Sequence, residues 1–297
     1  MKNKDPEETT AKTVGLSTLR GLYGKHPALQ TIVRSLAQER KSPARLFLSG
    51  LAGSAPALLF AELADRLTQV PTFLLVCDDE ESAGYLQSDL VALMGGEEQV
   101  FFLPSLYRRG IRYGQPDAAN EVLRSEIADR LRGGGVPPRI IVTYAAALPE
   151  GFADQAEYEA GHIDIALGEE YERKSLRERL WSLGFEETDY VYMPGQFAVR
   201  GSLIDIYSYA QDLPVRIDFI GDEVETISFF DPESQLSGET MERVRILAPV
   251  DSKSKSKGTS LLELLPAEAV VYLPSHSFFP STLRTVYEMP PVHPEDN

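Results

Sequence analysis

The sequence predicts an α/β protein: a parallel-sheet domain over residues 25–149, an α+β domain inserted at 150–235, and a segment, 236–297, that returns to the first domain. Three observations predict this. Between residues 28 and 149, short apolar runs alternate with stretches of helical period, as in parallel βα units. After Pro149 the period falls mostly to two, the mark of half-buried strands. Near the end, the strand-like run Val270-Val-Tyr-Leu273 follows a stretch too polar to pack, residues 251–258, and is placed to rejoin the first sheet.

The elements follow in order. Residues 1–24 read as a flexible N-terminus, and residues 28–38 as a first helix. Residues 45–48 form a strand and residues 57–67 the helix after it, opened by Pro56 where a missing N–H costs nothing. The apolar run 73–77 is a second strand, and Asp78-Asp79 stand where a helix cap falls, ahead of Tyr85, Leu86 and Leu90. Strands at 100–103 and 140–142 flank a helix over 118–132, which Gly133-Gly-Gly135 ends.

In the second domain residues 163–167 alternate as a strand, and Leu176, Leu180 and Leu183 line one face of a helix stopped by Gly184. Four strands follow, at 191–193, 196–207, 215–219 and 224–230, with turns at Pro194-Gly195 and Gly221-Asp222.

Composition narrows the function. At 297 residues, 43% hydrophobic and 25% charged, the chain can build two or three small cores. A formal net charge of −16 repels phosphate over most of the surface, so a protein partner is expected rather than nucleic acid. The basic island Tyr107-Arg-Arg-Gly-Ile-Arg112-Tyr113 leaves nucleic-acid contact open, but its shortness favours a solvated loop. Cys77, the single cysteine, sits in an apolar run and reads as a core residue in a reducing compartment. With no apolar signal core and no run of about 18 apolar residues, a cytoplasmic protein without a membrane span is expected. His26, His162, His276 and His293 lack paired ligand spacing, so neither a metal site nor a catalytic triad is read, and no cofactor is expected.

The turn after the first strand reads Gly50-Leu-Ala-Gly53-Ser54-Ala55-Pro56-Ala57, in the strand, loop, helix context of a phosphate-binding loop. That chemistry needs a glycine for close approach, a lysine for the β- and γ-phosphates and a hydroxyl for magnesium. Those positions hold Ala55, Pro56 and Ala57. Whether this is a degenerate P-loop or a plain tight βα turn, no useful ATP affinity is expected. Asp78-Asp79-Glu80-Glu81 then reads as helix capping, and Asp205, Asp218, Asp222, Glu223 and Glu225 as a solvated sheet face, not paired catalytic carboxylates.

The stretch 196–207 changes phase, with Phe197 and Val199 apolar at odd positions and Ile204 and Ile206 at even ones. A one-residue bulge at Gly201-Ser202 reconciles them, placing all four on the core and turning Ala198, Arg200, Leu203, Asp205 and Tyr207 outward. Arg and Tyr on a rigid strand suit a protein interface, although the residues alone favour the plainer reading in which Arg200 only offsets nearby carboxylates.

Three stretches together resemble the transcription-repair coupling factor family: Ser49-Gly-Leu-Ala-Gly-Ser54; Leu180-Trp-Ser-Leu-Gly-Phe185 running on to the segment 194–207; and Val215-Arg-Ile-Asp-Phe-Ile-Gly-Asp-Glu-Val224 ending at Phe230-Asp-Pro-Glu-Ser-Gln235. The resemblance covers about residues 25–275. It implies the N-terminal module shared with the excision-repair protein UvrB: a degenerate P-loop, helicase-like domain 1a, an inserted domain 2 that binds UvrA, and a domain 1b segment. It further implies a non-catalytic unit that recruits UvrA to stalled RNA polymerase, with Arg200 as the interface arginine. Polymerase and DNA contacts, and the ATP-dependent translocase motor, belong in this reading to a part C-terminal to the fragment, and other domains of the same protein could mask the docking face. Ala198 and Glu186-Glu187 stand where UvrB-like proteins carry further arginines. The competing reading is a UvrB-like ATP-dependent damage binder or helicase remnant.

Overall fold

The computed structural model describes residues 15–38, 45–106, 117–133, 136–248 and 258–273. The basic island at 107–113, most of the polar linker, His276 and His293 lie outside the described residues.

The chain opens with α1 (Leu16–Tyr23) and α2 (Pro27–Leu36), so part of the expected flexible N-terminus is helical. Arg20 explains why α1 is held. Its guanidinium reaches Glu62 and Asp65 and donates to the carbonyl oxygen of Leu93 at 2.9 Å. The parallel domain continues with α3 (Ala55–Arg66), β1 (Phe73–Cys77), α4 (Glu80–Met94), β2 (Val100–Leu103), α5 (Ala118–Leu131) and β3 (Ile140–Tyr144).

The second domain comprises α6 (Gln155–Ala160), β4 (His162–Ala166), α7 (Arg173–Ser182), β5 (Glu186–Glu187), β6 (Gln196–Arg200), β7 (Leu203–Ile206), β8 (Val215–Ile220), β9 (Glu223–Phe230), β10 (Ser237–Thr240) and β11 (Arg243–Leu247). The short α8 (Leu261–Leu264) and β12 (Val270–Tyr272) then return to the first.

The first sheet has the order β12-β1-β3-β2 and is parallel throughout. Its central strands are buried on both faces, which is why they read as unbroken apolar runs. Phe73, Leu75, Ile140 and Val142 pack against α3 and α4, while Leu74, Val76 and Ile141 pack against α5 and α8. Residues 45–48 form no strand: their place beside β1 is taken by β12, and Phe47 is left 77% exposed. Asp79 caps α4, accepting from the Ser82 N–H at 2.7 Å, and that bond holds its carboxyl below the usual range. Asp79→Ala is therefore expected to cost about 1 kcal/mol, measurable by urea unfolding.

The second sheet has the order β10-β9-β8-β7-β6-β5, antiparallel except at the β5–β6 edge. One face packs on Leu176 and Leu180 of α7 and on the separate β4–β11 ribbon, through Ile165, Val244 and Ile246. β11 pairs with β4 along residues 243–247, and the ribbon shares its core with the second sheet. The expected strand at 191–193 is absent; those residues belong to a loop that folds over the opposite sheet face.

The domains meet along α5. Arg245 of β11 donates to Asp129 and to the Tyr158 hydroxyl, both at 3.0 Å, and clasps Asp164 with two further bonds. These partners push the Arg245 pKa upward.

Candidate functional site

The stretch expected to be one bulged strand is a hairpin. Strands β6 and β7 pair antiparallel, Phe197 with Ile206, Ala198 with Asp205, Val199 with Ile204 and Arg200 with Leu203, around a turn at Gly201-Ser202. Gly201 takes φ +62°, a conformation glycine adopts without strain. The division of faces is the expected one: Phe197, Val199, Ile204 and Ile206 line the core and the other set points away from it.

That other face is not the open patch the alternation suggested. Ala198 is 1% exposed and Asp205 0%, while Leu203 and Tyr207 are half-buried. Val191 of the loop before β6 packs with Ala198, Tyr207 and Phe230 in a small cluster there, and Gln235, after β9, joins that loop by donating to the Val191 carbonyl oxygen at 3.4 Å. Asp205 is thus no part of a solvated acidic face. It lies between two guanidiniums: Arg216 grips it bidentately at 2.8 and 2.9 Å, and Arg200 pairs with its Oδ2. Arg200 also stacks 4.9 Å from the Tyr190 ring centroid, and Arg216 4.6 Å from that of Phe230.

This arrangement fixes Arg200 while leaving it available. Its side chain is 32% exposed, and its Nε is buried without a partner. Two cations around one carboxylate leave local positive charge on a strongly acidic chain. Beside Arg200 stands the exposed Tyr190, and the same loop carries the exposed Tyr192 and Met193, whose N–H groups donate to the side-chain oxygen of Gln196 at the far end of β6. An immobilised guanidinium next to exposed aromatic area is suited to an acidic, partly apolar protein surface. Sequence reasoning missed Tyr192 and Met193 because it placed residues 191–193 in a strand, and Tyr190, just outside that span, carried no signal of its own. Glu187, at the sheet edge, is paired with Arg177 at 2.8 Å.

The other candidate, the loop of Gly50, Gly53, Ser54, Ala55, Pro56 and Ala57, lies apart in the first domain. Gly50 and Gly53 have φ of +82° and +54°, and their Cβ positions face open space. Ser54 caps α3 without a side-chain hydrogen bond, Pro56 sits in its first turn, and Ala57 is packed in the core. Cys77 is buried, and burial with Asp78 and Asp79 nearby pushes its thiol up to about 11. Among the described residues no cluster of His, Cys, Asp and Glu could hold a metal ion, and no helix is long and apolar enough to cross a membrane.

Comparison with known proteins follows this geometry. The UvrB interaction domain family matches residues 163–251, the span from β4 to just past β11. A transcription-repair-coupling factor of Myxococcus xanthus is 31% identical over 217 residues, 71% of this chain and 18% of the relative. That of Bacillus subtilis is 30% identical over 200 residues, 67% of this chain and 16% of the relative. A UvrABC system protein B of Onion yellows phytoplasma is 25% identical over 263 residues, 83% of this chain and 37% of the relative. The chain spans less than a fifth of the length of the coupling factors it matches.

Proposed function

We propose that this chain, which is similar to transcription-repair-coupling factors and to UvrABC system protein B and matches the UvrB interaction domain family over residues 163–251, is a docking module for UvrA in nucleotide excision repair. The observation that carries the reading is the Arg200–Asp205–Arg216 arrangement. A buried carboxylate holds Arg200 at the surface, so little side-chain entropy remains to be lost on binding. Arg200 is the anchor, Leu203 lies directly across the hairpin from it, Tyr207 extends the same face toward Gln196, and Ala198 and Asp205 support it from below. In this reading the first domain is a scaffold of helicase-like ancestry, and recruitment to stalled RNA polymerase in the cytoplasm is completed by other parts of a longer protein.

Titration with purified UvrA tests this: the expected result is saturable one-to-one capture, and absence of capture would sink the docking role. The second reading, a UvrB-like ATP-dependent activity, finds no support in the loop at residues 50–57. That loop offers no lysine, and its apolar residues open α3 directly. Isothermal titration with ATP and magnesium is expected to give no binding heat, and measurable turnover would reverse the assignment.

A further inference from the structure

Tyr209 stands where the two domains and the docking loop converge. Its ring is buried against Val122 of α5 and Leu247 of β11, with Tyr158 and Ala210 alongside, and lies 6.4 Å from the ring centroid of Phe185. Its hydroxyl lies 3.5 Å from the carbonyl oxygen of Pro194. Gly195 has φ +85°, and a Cβ added there would come within 2.6 Å of that hydroxyl, so the turn is seated directly on the tyrosine. The turn is also tied to the sheet, the Gly195 N–H donating to Tyr207 at 2.8 Å while the Gly195 carbonyl accepts from Glu186 at 2.8 Å. It ends the loop that places Tyr190 against Arg200.

We propose that Tyr209 is a positioning residue through which the first domain sets the shape of the docking face: α5 seated on Tyr209 holds the Pro194-Gly195 turn, and the turn holds the 190–193 loop over Arg200. The proposal rests on the docking role above and adds to it that the docking face responds to the contact between the domains.

The junction contains its own probe. Glu121, next to Val122 on α5, is 6% exposed, and burial together with Asp117 pushes its carboxyl up to about 7. The ionisable groups around it are Asp117 on its own helix cap and Tyr209 from the second domain, whose hydroxyl is pushed up to about 12 by burial and by Glu121. Farther along the interface are Glu126 facing Asp212, and Asp129 with Tyr158 and Arg245. For a carboxyl raised on folding, the stabilising contribution is complete below the unfolded pKa and is lost as pH rises through the folded one. The α5 contact should therefore weaken between pH 6 and pH 8.

Hydrogen exchange of the whole chain reads this without any partner. Val122→Ala, a change confined to the first domain, is expected to speed exchange across residues 188–196 by about fivefold or more. In the parent protein, exchange there should rise from pH 6 to pH 8 beyond the intrinsic chemical rate, and the near-isosteric Glu121→Gln should flatten that rise. Tyr209→Phe should speed exchange in the same peptides while keeping the ring packing. Unchanged protection of residues 188–196 in Val122→Ala and Glu121→Gln would overturn the coupling, whatever UvrA titration shows. Failure of UvrA capture with these exchange changes present would instead count against the docking role alone.

Discussion

Asp205→Ala is expected to remove about 3–5 kcal/mol of folding stability, as breaking a buried ion pair does when the remaining partners lose their compensation. The carboxylate is 0% exposed in mid-sheet, with the two arginines converging on it from β6 and β8. Its removal leaves two cations facing each other under Tyr190 and Phe230, with no counter-ion beneath the lid. Asp205→Asn keeps the shape and an accepting oxygen, so it should cost less. Urea unfolding distinguishes these outcomes: a loss below about 1 kcal/mol for the alanine variant would mean the carboxylate does not organise this face.

Arg200→Ala should reduce UvrA affinity by roughly thirtyfold or more, the scale of an interfacial arginine anchor worth about 2 kcal/mol or more. The same substitution should leave the fold nearly intact, because Asp205 keeps both bonds to Arg216. Charge reversal to glutamate is a poorer test, since it sets a second carboxylate against the buried one and mixes unfolding with loss of binding. Calorimetry with purified UvrA, beside a thermal melt of the variant alone, separates the two effects. Undiminished affinity in a folded variant would move the contact to another surface, such as α7 with its exposed Trp181.

Much of this architecture was legible. Strands such as β1 and β3 announce themselves because burial on both faces demands continuous apolar runs, and the cap at Asp79 follows from where its helix must start. The segment 45–48 carries an equally apolar string but no strand. Pairing is decided by what lies alongside, and that neighbour, β12, is distant in sequence. The hairpin was hidden for a more instructive reason. Across a two-residue turn, paired residues have opposite parity, so the apolar phase switches just as it does at a single-residue bulge. Both geometries put the same side chains on the same face, and the face assignment survived the wrong topology. A Gly-Ser pair between alternating strands was the available hairpin signal. The burial of Ala198 and Asp205 had no local signal, because it comes from Val191 and from Arg216, Phe230 and Gln235, which lie on either side in sequence.

The parallel pairing of β12 with β1 bears on the order in which the protein is made. By the time residue 247 leaves the ribosome, every strand of the inserted domain has emerged and it can close, whereas the surrounding sheet still lacks the strand that borders β1. Nascent chains should therefore pass through an interval in which the inner domain is native and an apolar strand edge is uncovered, the kind of edge that chaperones and neighbouring chains recognise.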